Sequence, residues 1–258
     1  MKKVLVLFAA LGLVACAASL SQANLLTNGN LDLTYAEVIV DNPEPQEDFY
    51  LPKPASWVNV GSRTIGGPYE DEMSSEPWAG PAPTPVTTDG NANPPHPEGC
   101  GGPDCAVFFK PFSGSVAQGA ATGHLYQDVA GTAGQRYLLT GWAGGEANFL
   151  GGAVFALDFL NGGGGLIGSA ELDLKAAGLL TDNGQPFDYK QYSVAAVAPA
   201  GTTTVRARAS MIDAMANPAG GGQAYVVDDF TLTAVPEPAT FALVGLAVAG
   251  LVGIRRRS

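Results

Sequence analysis

The sequence predicts an all-β sandwich, and three observations carry this prediction. Glycine and proline are abundant, with 34 and 19 residues, while charged residues make up only 14% of the 258-residue chain. This composition is typical of short strands joined by many turns rather than of helices. Apolar residues alternate with polar ones in several short runs, as in half-buried strands. No repeat of fixed period is present, which argues against a propeller or a β-helix.

The sandwich is predicted to occupy residues 24–234, a length that suffices for one domain with a sizeable core. Of the 13 basic residues, two lysines near the start and three arginines near the end lie outside this body, and of the 24 acidic residues only Glu237 does. The body therefore carries 8 basic and 23 acidic residues, for a net charge near −15. Such a surface is expected to repel nucleic acid and anionic headgroups, and it suits an extracellular protein that binds divalent cations.

The first residues have the pattern of a secretory signal peptide. Lys2 and Lys3 form a charged region, residues 4–14 form an apolar region, and small residues at Ser21 and Ala23 suit cleavage by signal peptidase after Ala23. A competing pattern ends at Cys16, where Leu-Val-Ala-Cys is similar to a lipoprotein cleavage site. Both interpretations place the body outside the cytoplasm.

Eight or nine strands are predicted along the body. They lie at residues 25–33 (interrupted by a turn at Asn28 and Gly29), 56–60, 105–109, 123–129, 136–142, 153–160, 189–198, 202–210 and 224–233. Residues 66–104 are rich in proline, glycine and acids, so a long surface loop with little regular structure is expected there. Residues 169–180 are predicted to hold the only helical turn of the body.

The alternation within these strands predicts which side chains share a face. Phe155, Leu157 and Phe159 should face the core together, and Arg206 and Arg208 should point outward. Other predicted face-sharing sets are Leu138 with Trp142, and Val226 with Phe230 and Leu232. Trp142 is expected to fill the core.

Cys100 and Cys105 flank a Gly-Gly-Pro-Asp turn. In an oxidising compartment a pair this close predicts a disulfide that closes a small loop. Binding of a metal is the alternative, but no second cysteine pair is present and His96 would be a single additional ligand.

The tail combines a proline-bounded acid, an apolar run and a basic cluster. Residues 239–254 carry no charge, and as a helix they would span roughly 24 Å, a little less than a hydrocarbon core. Arg255, Arg256 and Arg257 can reach the inner headgroups and should keep the C-terminus in the cytoplasm. The sequence therefore predicts a transmembrane helix at 239–254 that holds the body outside.

This tail resembles the PEP-CTERM sorting signal of Gram-negative bacteria, through Pro236, Glu237 and Pro238, the apolar run and the three arginines. The resemblance implies that an exosortase recognises and removes residues 235–258. The chain would be anchored transiently in the inner membrane and then delivered to the cell surface or extracellular matrix, often alongside exopolysaccharide. An ordinary C-terminal anchor is the alternative, but such an anchor does not need the Pro-Glu-Pro sequence.

The body also resembles galactose-binding-like jelly rolls, the fold of many carbohydrate-binding modules. The similar segments are residues 24–32, Trp57 after Pro54, 125–129, 134–143 and 225–232. In such jelly rolls the first and last strands lie together and often hold a structural calcium ion. The resemblance therefore implies calcium ligands among Asp32, Asp228 and Asp229. The alternative is that these residues form an acidic strand end exposed to solvent.

A sugar site needs an aromatic platform beside polar groups. Trp57, Tyr69 and Trp78 are the candidates because they lie in or near predicted loops. Packing of these rings beneath the long loop is the alternative for each.

Catalysis has little support in the sequence. No Gly-x-Ser-x-Gly, His-Glu-x-x-His or phosphate-binding loop is present, and there are only two histidines. We expect an exported, non-catalytic protein that associates with exopolysaccharide. A matrix or adhesion protein without a sugar site and a secreted polysaccharide hydrolase are the alternatives.

Overall fold

The structure, a computed structural model, describes residues 23–39, 49–63, 73–77, 100, 104–111, 120–146, 148–179, 190–219 and 223–235. The predicted signal peptide, the predicted transmembrane helix and two of the three predicted platform aromatics, Tyr69 and Trp78, lie outside these residues. Within the described part of the chain there is no helix long and apolar enough to cross a membrane.

Twelve strands form in the described residues, and they are numbered here in chain order. Their bounds are β1 Thr34–Ile39, β2 Phe49–Pro54, β3 Val58–Arg63, β4 Met73–Pro77, β5 Cys105–Phe109, β6 Ala121–Ala130, β7 Arg136–Gly145, β8 Leu150–Leu160, β9 Leu166–Asp173, β10 Lys190–Val197, β11 Thr204–Met215 and β12 Tyr225–Val235.

Two five-stranded antiparallel sheets face each other, and β1 and β2 form a separate two-stranded ribbon. Sheet 1 has the order β10-β7-β12-β5-β4, and sheet 2 has the order β3-β6-β11-β8-β9. Several consecutive strands, such as β7 and β8 or β10 and β11, belong to opposite sheets, so the chain crosses repeatedly between them. The predicted all-β sandwich is confirmed.

The core lies between the two sheets and is filled from both inner faces. The Phe155 ring of sheet 2 contacts Phe230 of sheet 1 at a centroid distance of 5.1 Å and Tyr192 of sheet 1 at 6.4 Å. Gly141 makes room for Phe230, because a Cβ atom at this glycine would lie 2.5 Å from the phenylalanine ring. The predicted inward alternation of Phe155, Leu157 and Phe159 is confirmed, since all three are at most 2% exposed.

The N-terminal segment is held against the last strand, as the jelly-roll resemblance implied. The Leu25 amide donates to the Leu232 carbonyl at 2.8 Å, and the Phe230 amide donates to the Gly29 carbonyl at 2.7 Å. Gly29 cannot carry a side chain, because its Cβ would lie 2.3 Å from the Phe230 carbonyl oxygen. Asn28 adopts a positive φ of 51° and fixes the turn through hydrogen bonds to Leu33 and Ala55.

The structure corrects three predictions about elements. Residues 26–30 form a turn and the first strand begins only at Thr34, because hydrogen bonds of the Asn28 side chain replace strand pairing there. Residues 169–173 belong to β9, so the helical turn predicted within 169–180 begins only at Asp173, whose carbonyl accepts from the Ala177 amide at 3.0 Å. The predicted loop at 66–104 contains β4, which pairs with β5.

Two predictions about faces are also wrong. Trp142 points away from the core and packs on a small apolar cluster on the outer face of sheet 1, because Tyr137, Leu139 and Ala143 take the inward positions of β7. Val226 does not share a face with Phe230 and Leu232. A register irregularity between Asp228 and Thr231 reverses the alternation of β12, so Val226 belongs to the outer cluster.

Candidate functional site

The outer face of sheet 2, meaning the side chains that point away from the core, carries a connected set of polar groups. In one row across the sheet, Asp128 of β6, Arg206 of β11 and Asp158 of β8 are register neighbours. Arg206 donates two hydrogen bonds to Asp128, from Nε at 2.7 Å and Nη2 at 2.9 Å. Its guanidinium carbon also lies 3.7 Å from the ring centroid of Tyr126, so the cation is placed over the face of an aromatic ring.

The next row is organised by Arg208. Its Nε donates to Asp158 Oδ2 at 2.8 Å, and its Nη2 donates to Glu171 Oε1 at 2.7 Å. Its Nη1 donates to the hydroxyl of Ser210 at 2.8 Å, and that hydroxyl lies 2.8 Å from His124 Nδ1. One arginine therefore links three strands of the sheet through charge-assisted hydrogen bonds, which are the stronger kind.

The network shifts the pKa values of its members. Burial raises the pKa of Asp158, but hydrogen bonds from Arg208 and Ser169 and the charges of Arg208 and Arg206 outweigh burial, so the pKa is lowered. Burial and the charge of Arg208 lower the pKa of His124. Asp158 is therefore ionised and His124 is neutral at physiological pH.

This face follows from the alternation of β6, β8 and β11. Val205, Ala207 and Ala209 are buried in the core, so the arginines between them must project from the opposite face. The outward direction of Arg206 and Arg208 was predicted and is confirmed. Their partners were missed, because Asp128, Asp158 and Glu171 lie 37 to 78 residues away in sequence. Alternating polar residues on β6 were the available signal.

A second candidate site is the group of carboxylates around the irregularity of β12. Asp228 is only 6% exposed, and its Oδ1 accepts a hydrogen bond from the Asp229 amide at 2.7 Å. Asp32 is 1% exposed, and its Oδ1 accepts from the Cys105 amide at 2.9 Å. Asp229 has a positive φ of 51°, which marks the irregularity. The structure therefore brings two of the predicted calcium ligands, Asp32 and Asp228, out of solvent near each other.

Electrostatics in this group oppose ionisation. Burial raises the pKa of Asp228 well above its usual value, and the charges of Asp229, Asp104 and Asp32 raise it further. The neighbouring charges that raise the pKa of Asp228 are thus those of carboxylates. No set of three or more His, Cys, Asp or Glu side chains among the described residues is arranged to hold a metal ion. A cation here would therefore need backbone carbonyls as further ligands, and hard oxygen ligands of this kind suit calcium.

The predicted aromatic platform is not formed by Trp57. Its ring is 5% exposed, lies 5.3 Å from the Phe230 ring, and its Nε1 donates to the Asn28 carbonyl at 2.9 Å. Such a ring offers no face to a sugar, so the prediction for Trp57 is wrong, because the turn at Asn28 closes over it. Tyr69 and Trp78 lie outside the described residues.

The predicted disulfide between Cys100 and Cys105 is confirmed, with a Cα–Cα distance of 6.2 Å. Cys105 starts β5, and its amide contacts Asp32. The disulfide therefore lies next to a buried member of the carboxylate group, Asp32.

Comparison with known proteins gives one sequence match and several structural likenesses. The PEP-CTERM protein-sorting motif matches residues 234–257, which confirms the predicted resemblance of the tail. No curated protein sequence matches the chain.

The structural likenesses are distant. TmCBM61 in complex with β-1,4-galactotriose is 16% identical, with a TM-score of 0.40, and covers 83% of this chain and 99% of its own. The CBM22-1 xylan-binding domain of Paenibacillus barcinonensis Xyn10C is 10% identical, with a TM-score of 0.36 and coverage of 86% and 100%. The enzymatically active domain of bacteriophage CBA120 tailspike protein 4 is 10% identical, with a TM-score of 0.45, and this chain spans only 21% of its length. The chain thus joins an all-β sandwich to a PEP-CTERM sorting motif.

Proposed function

We propose that this chain is an exported, non-catalytic protein that binds an extracellular polysaccharide on the outer face of sheet 2. The observation that carries the proposal is the fixed network of Arg206, Arg208 and their carboxylate partners beside Tyr126. Polysaccharides present hydroxyl groups, which accept from guanidinium groups and donate to carboxylates. Side chains already held in place lose little conformational entropy when a ligand binds.

The form of the face also suits a polymer. The five strands of sheet 2 lie side by side. At its edge, Val58 and Val60 of β3 are 44% and 43% exposed and are register neighbours of Tyr126 and His124. Apolar and aromatic groups beside polar ones match a sugar ring, which has both apolar and hydroxyl-bearing surfaces.

The electrostatics of the face favour binding over hydrolysis. A glycosidase needs one carboxyl group with a raised pKa as the general acid and a second, ionised carboxylate nearby. Asp158 has a lowered pKa and is engaged by Arg208 and Ser169, so it does not suit the acid role. A matrix or adhesion protein without a sugar site and a secreted polysaccharide hydrolase are the alternatives.

Binding to the host's own exopolysaccharide and to a glycan array tests the proposal. Tyr126→Ala and Arg206→Ala should each weaken binding roughly tenfold, which corresponds to about 1.4 kcal/mol. Thr231→Ala, on the outer face of sheet 1, is the matched control and should bind like the wild type. Absence of binding to every glycan would favour the matrix role, while release of reducing sugars would favour the hydrolase.

We propose that signal peptidase and an exosortase process the two ends of the chain, with a transient anchor in the inner membrane. Mass spectrometry of the surface protein should find Asn24 as its first residue and no apolar run of 239–254. A lipid-modified Cys16 would replace the first expectation, and an intact tail on the surface protein would contradict the second.

We propose that Asp228 and Asp32 bind a structural calcium ion. Asp229 and backbone carbonyl groups of the turn at 28–30 would be its further ligands. The support is the burial of two carboxylates whose charges are mutually unfavourable. At a calcium concentration of 100 times Kd the folded state would gain about 2.7 kcal/mol. Thermal unfolding with calcium and with EDTA is the test, and an equal melting temperature in both would remove calcium from the account.

A further inference from the structure

The sandwich has two ends, and the chain leaves toward its C-terminal tail from one of them. Three loops form this end: residues 131–135 between β6 and β7, 161–165 between β8 and β9, and 198–203 between β10 and β11. They are joined by hydrogen bonds, including Gly134 N to Ala198 O at 2.8 Å and Gly131 N to Thr203 O at 2.8 Å. We call these loops, with Arg136, Leu166, Val197 and Val235, the tail end.

Both terminal segments depart from the tail end. Val235 is the last residue of β12 and pairs with Arg136, and the Gln135 side chain donates to its carbonyl at 2.6 Å. Asn24 Oδ1 accepts from the Leu232 amide at 2.9 Å, so Asn24 lies beside the last residues of the same strand. The sorting motif starts at residue 234, within β12 itself. The folded domain and the sorting segment therefore have no flexible linker between them in sequence.

The tail end differs in charge from the rest of this acidic chain. Its three loops read Gly-Thr-Ala-Gly-Gln, Asn-Gly-Gly-Gly-Gly and Ala-Pro-Ala-Gly-Thr-Thr, and contain no charged residue. Arg136, which is exposed, supplies the one charge among the residues that define this end. By contrast, the opposite ends of the same strands and their connections carry Glu146, Asp173 and Asp213.

The tail end also exposes apolar side chains. Leu166 is 62% exposed and Val197 is 58% exposed, and these are the highest values among the exposed large hydrophobic residues of the described chain. Leu150, at the other end of the β8–β9 pair, is 45% exposed. An uncharged surface with protruding apolar side chains and one arginine is compatible with an anionic lipid interface.

From this arrangement we propose that the tail end rests on the membrane surface, against anionic lipid headgroups, while the sorting tail is in place. The inference rests on the proposed anchoring of residues 239–254. Three residues separate Val235 from this apolar run, so the two lie at most about 14 Å apart. At that distance an acidic surface would be repelled by anionic headgroups, and the only acid in the connecting segment is Glu237. The tail end avoids this repulsion, and Leu166 and Val197 can enter the interface.

The arrangement gives the sorting segment a defined position. Because Val235 is paired within sheet 1, the residues after it are presented to the membrane-embedded processing enzyme at a fixed point. The carbohydrate face proposed on sheet 2 then stands at the side of the anchored domain, and its Asp128, Arg206 and Asp158 row lies two residues from the strand ends that face the bilayer.

The test uses the full chain reconstituted into phosphatidylglycerol-containing vesicles that carry a headgroup-linked quencher. A fluorescent label is attached at Leu166→Cys in one variant and at Leu150→Cys in another, both in a chain that carries Cys16→Ser, and the Cys16→Ser chain alone is the labelling control. Leu166 is the register partner of Leu160, which lies ten residues after Leu150 on β8. Ten residues of a strand span about 33 Å, so the two labels are about this far apart. The label at 166 should be quenched strongly, and the label at 150 should be as bright as in vesicles without quencher.

Charge substitutions provide the second arm. Adding Val197→Glu to the chain labelled at 166 should reduce quenching, while Val60→Glu, on the outer face of sheet 2, should leave it unchanged. Equal quenching at 166 and 150 in a chain that floats with the vesicles would overturn this inference and leave the anchor intact. A chain that fails to float with the vesicles would overturn both. Neither result bears on glycan binding, which is measured separately.

Discussion

Two aspartates of this protein are buried to the same extent but in opposite surroundings. Asp158 and Asp228 are each 6% exposed, and each lies in a central part of a sheet. The pKa of Asp158 is lowered despite its burial, since Arg208 and Ser169 bind it. The pKa of Asp228 is raised well above its usual value by burial and by three neighbouring carboxylates.

The difference shows that burial alone does not decide the charge of a carboxyl group in this fold. The network on sheet 2 contains its own counter-charges and is complete without a ligand. Around Asp228, burial and the charges of Asp229, Asp104 and Asp32 favour the protonated carboxyl group, and a bound cation would favour the ionised one. Loss of a charged partner in the network on sheet 2 is therefore expected to lower the stability of the protein. At the carboxylate group around Asp228, stability is expected to change with pH and with calcium.

The largest expected effect on stability comes from a substitution in the Arg208 network on sheet 2. Asp158→Asn leaves Arg208, which is 15% exposed, with only Glu171 as a charged partner. Loss of the charged acceptor of the Arg208 hydrogen bonds should cost about 2–3 kcal/mol, as is typical of hydrogen bonds to charged groups. For a domain of this size the melting temperature should fall by roughly 4–12 °C, measured by circular dichroism or calorimetry. Asp128→Asn, which removes a 39% exposed carboxylate, is the matched control and should cost much less. Equal decreases in melting temperature for the two variants would show that burial does not decide how much each carboxylate stabilises the fold.

The next effect concerns pH at the carboxylate group. Asp228 has a higher pKa in the folded than in the unfolded state, so the folded state binds more protons over the window between these values. Stability without calcium should therefore decrease as pH rises above about 3.9, the unfolded value, and through the folded pKa. Asp228→Asn should remove this decrease and be the more stable protein at pH 7 in EDTA.

The test is urea unfolding of the wild type and of Asp228→Asn from acidic to neutral pH. Their difference in unfolding free energy should shrink toward the acidic end, where Asp228 is protonated in both states. A wild-type protein that becomes more stable than the variant as pH rises in EDTA would show that Asp228 is compensated by another group.

The smallest effect is expected for the exposed ion pair of sheet 2. A double-mutant cycle on Arg206 and Asp128, whose side chains are 26% and 39% exposed, should give a coupling of about 0.2–1 kcal/mol. High salt should reduce this coupling, because solvent-exposed charges are screened. The same cycle on Arg208 and Asp158 should give a larger and less salt-dependent value. Reversal of this order would mean that exposure does not set the strength of these pairs.

Alternation in the sequence predicted one face of the molecule well. On β11 the residues Val205, Ala207 and Ala209 alternate with two arginines, and only one orientation buries the apolar set. The same argument failed on β12, because the irregularity between Asp228 and Thr231 inserts a residue that the hydrophobic pattern does not reveal. The prediction for Trp57 rested on its position near a loop, and it failed because the Trp57 Nε1 group donates to the carbonyl of Asn28, 29 residues earlier, with the ring buried in the core.

The sequence by itself determined the class of the fold, the outward direction of the arginines, the disulfide and the sorting motif. Each of these depends on residue types within a short stretch, where local chain geometry sets the outcome. Only the tertiary structure decided which carboxylates meet Arg206 and Arg208, which carboxylates raise the pKa of Asp228, and that Val235 lies beside three loops that contain no charged residue. These depend on strand order and register, which bring together residues that are distant in sequence and cannot be inferred from any one segment.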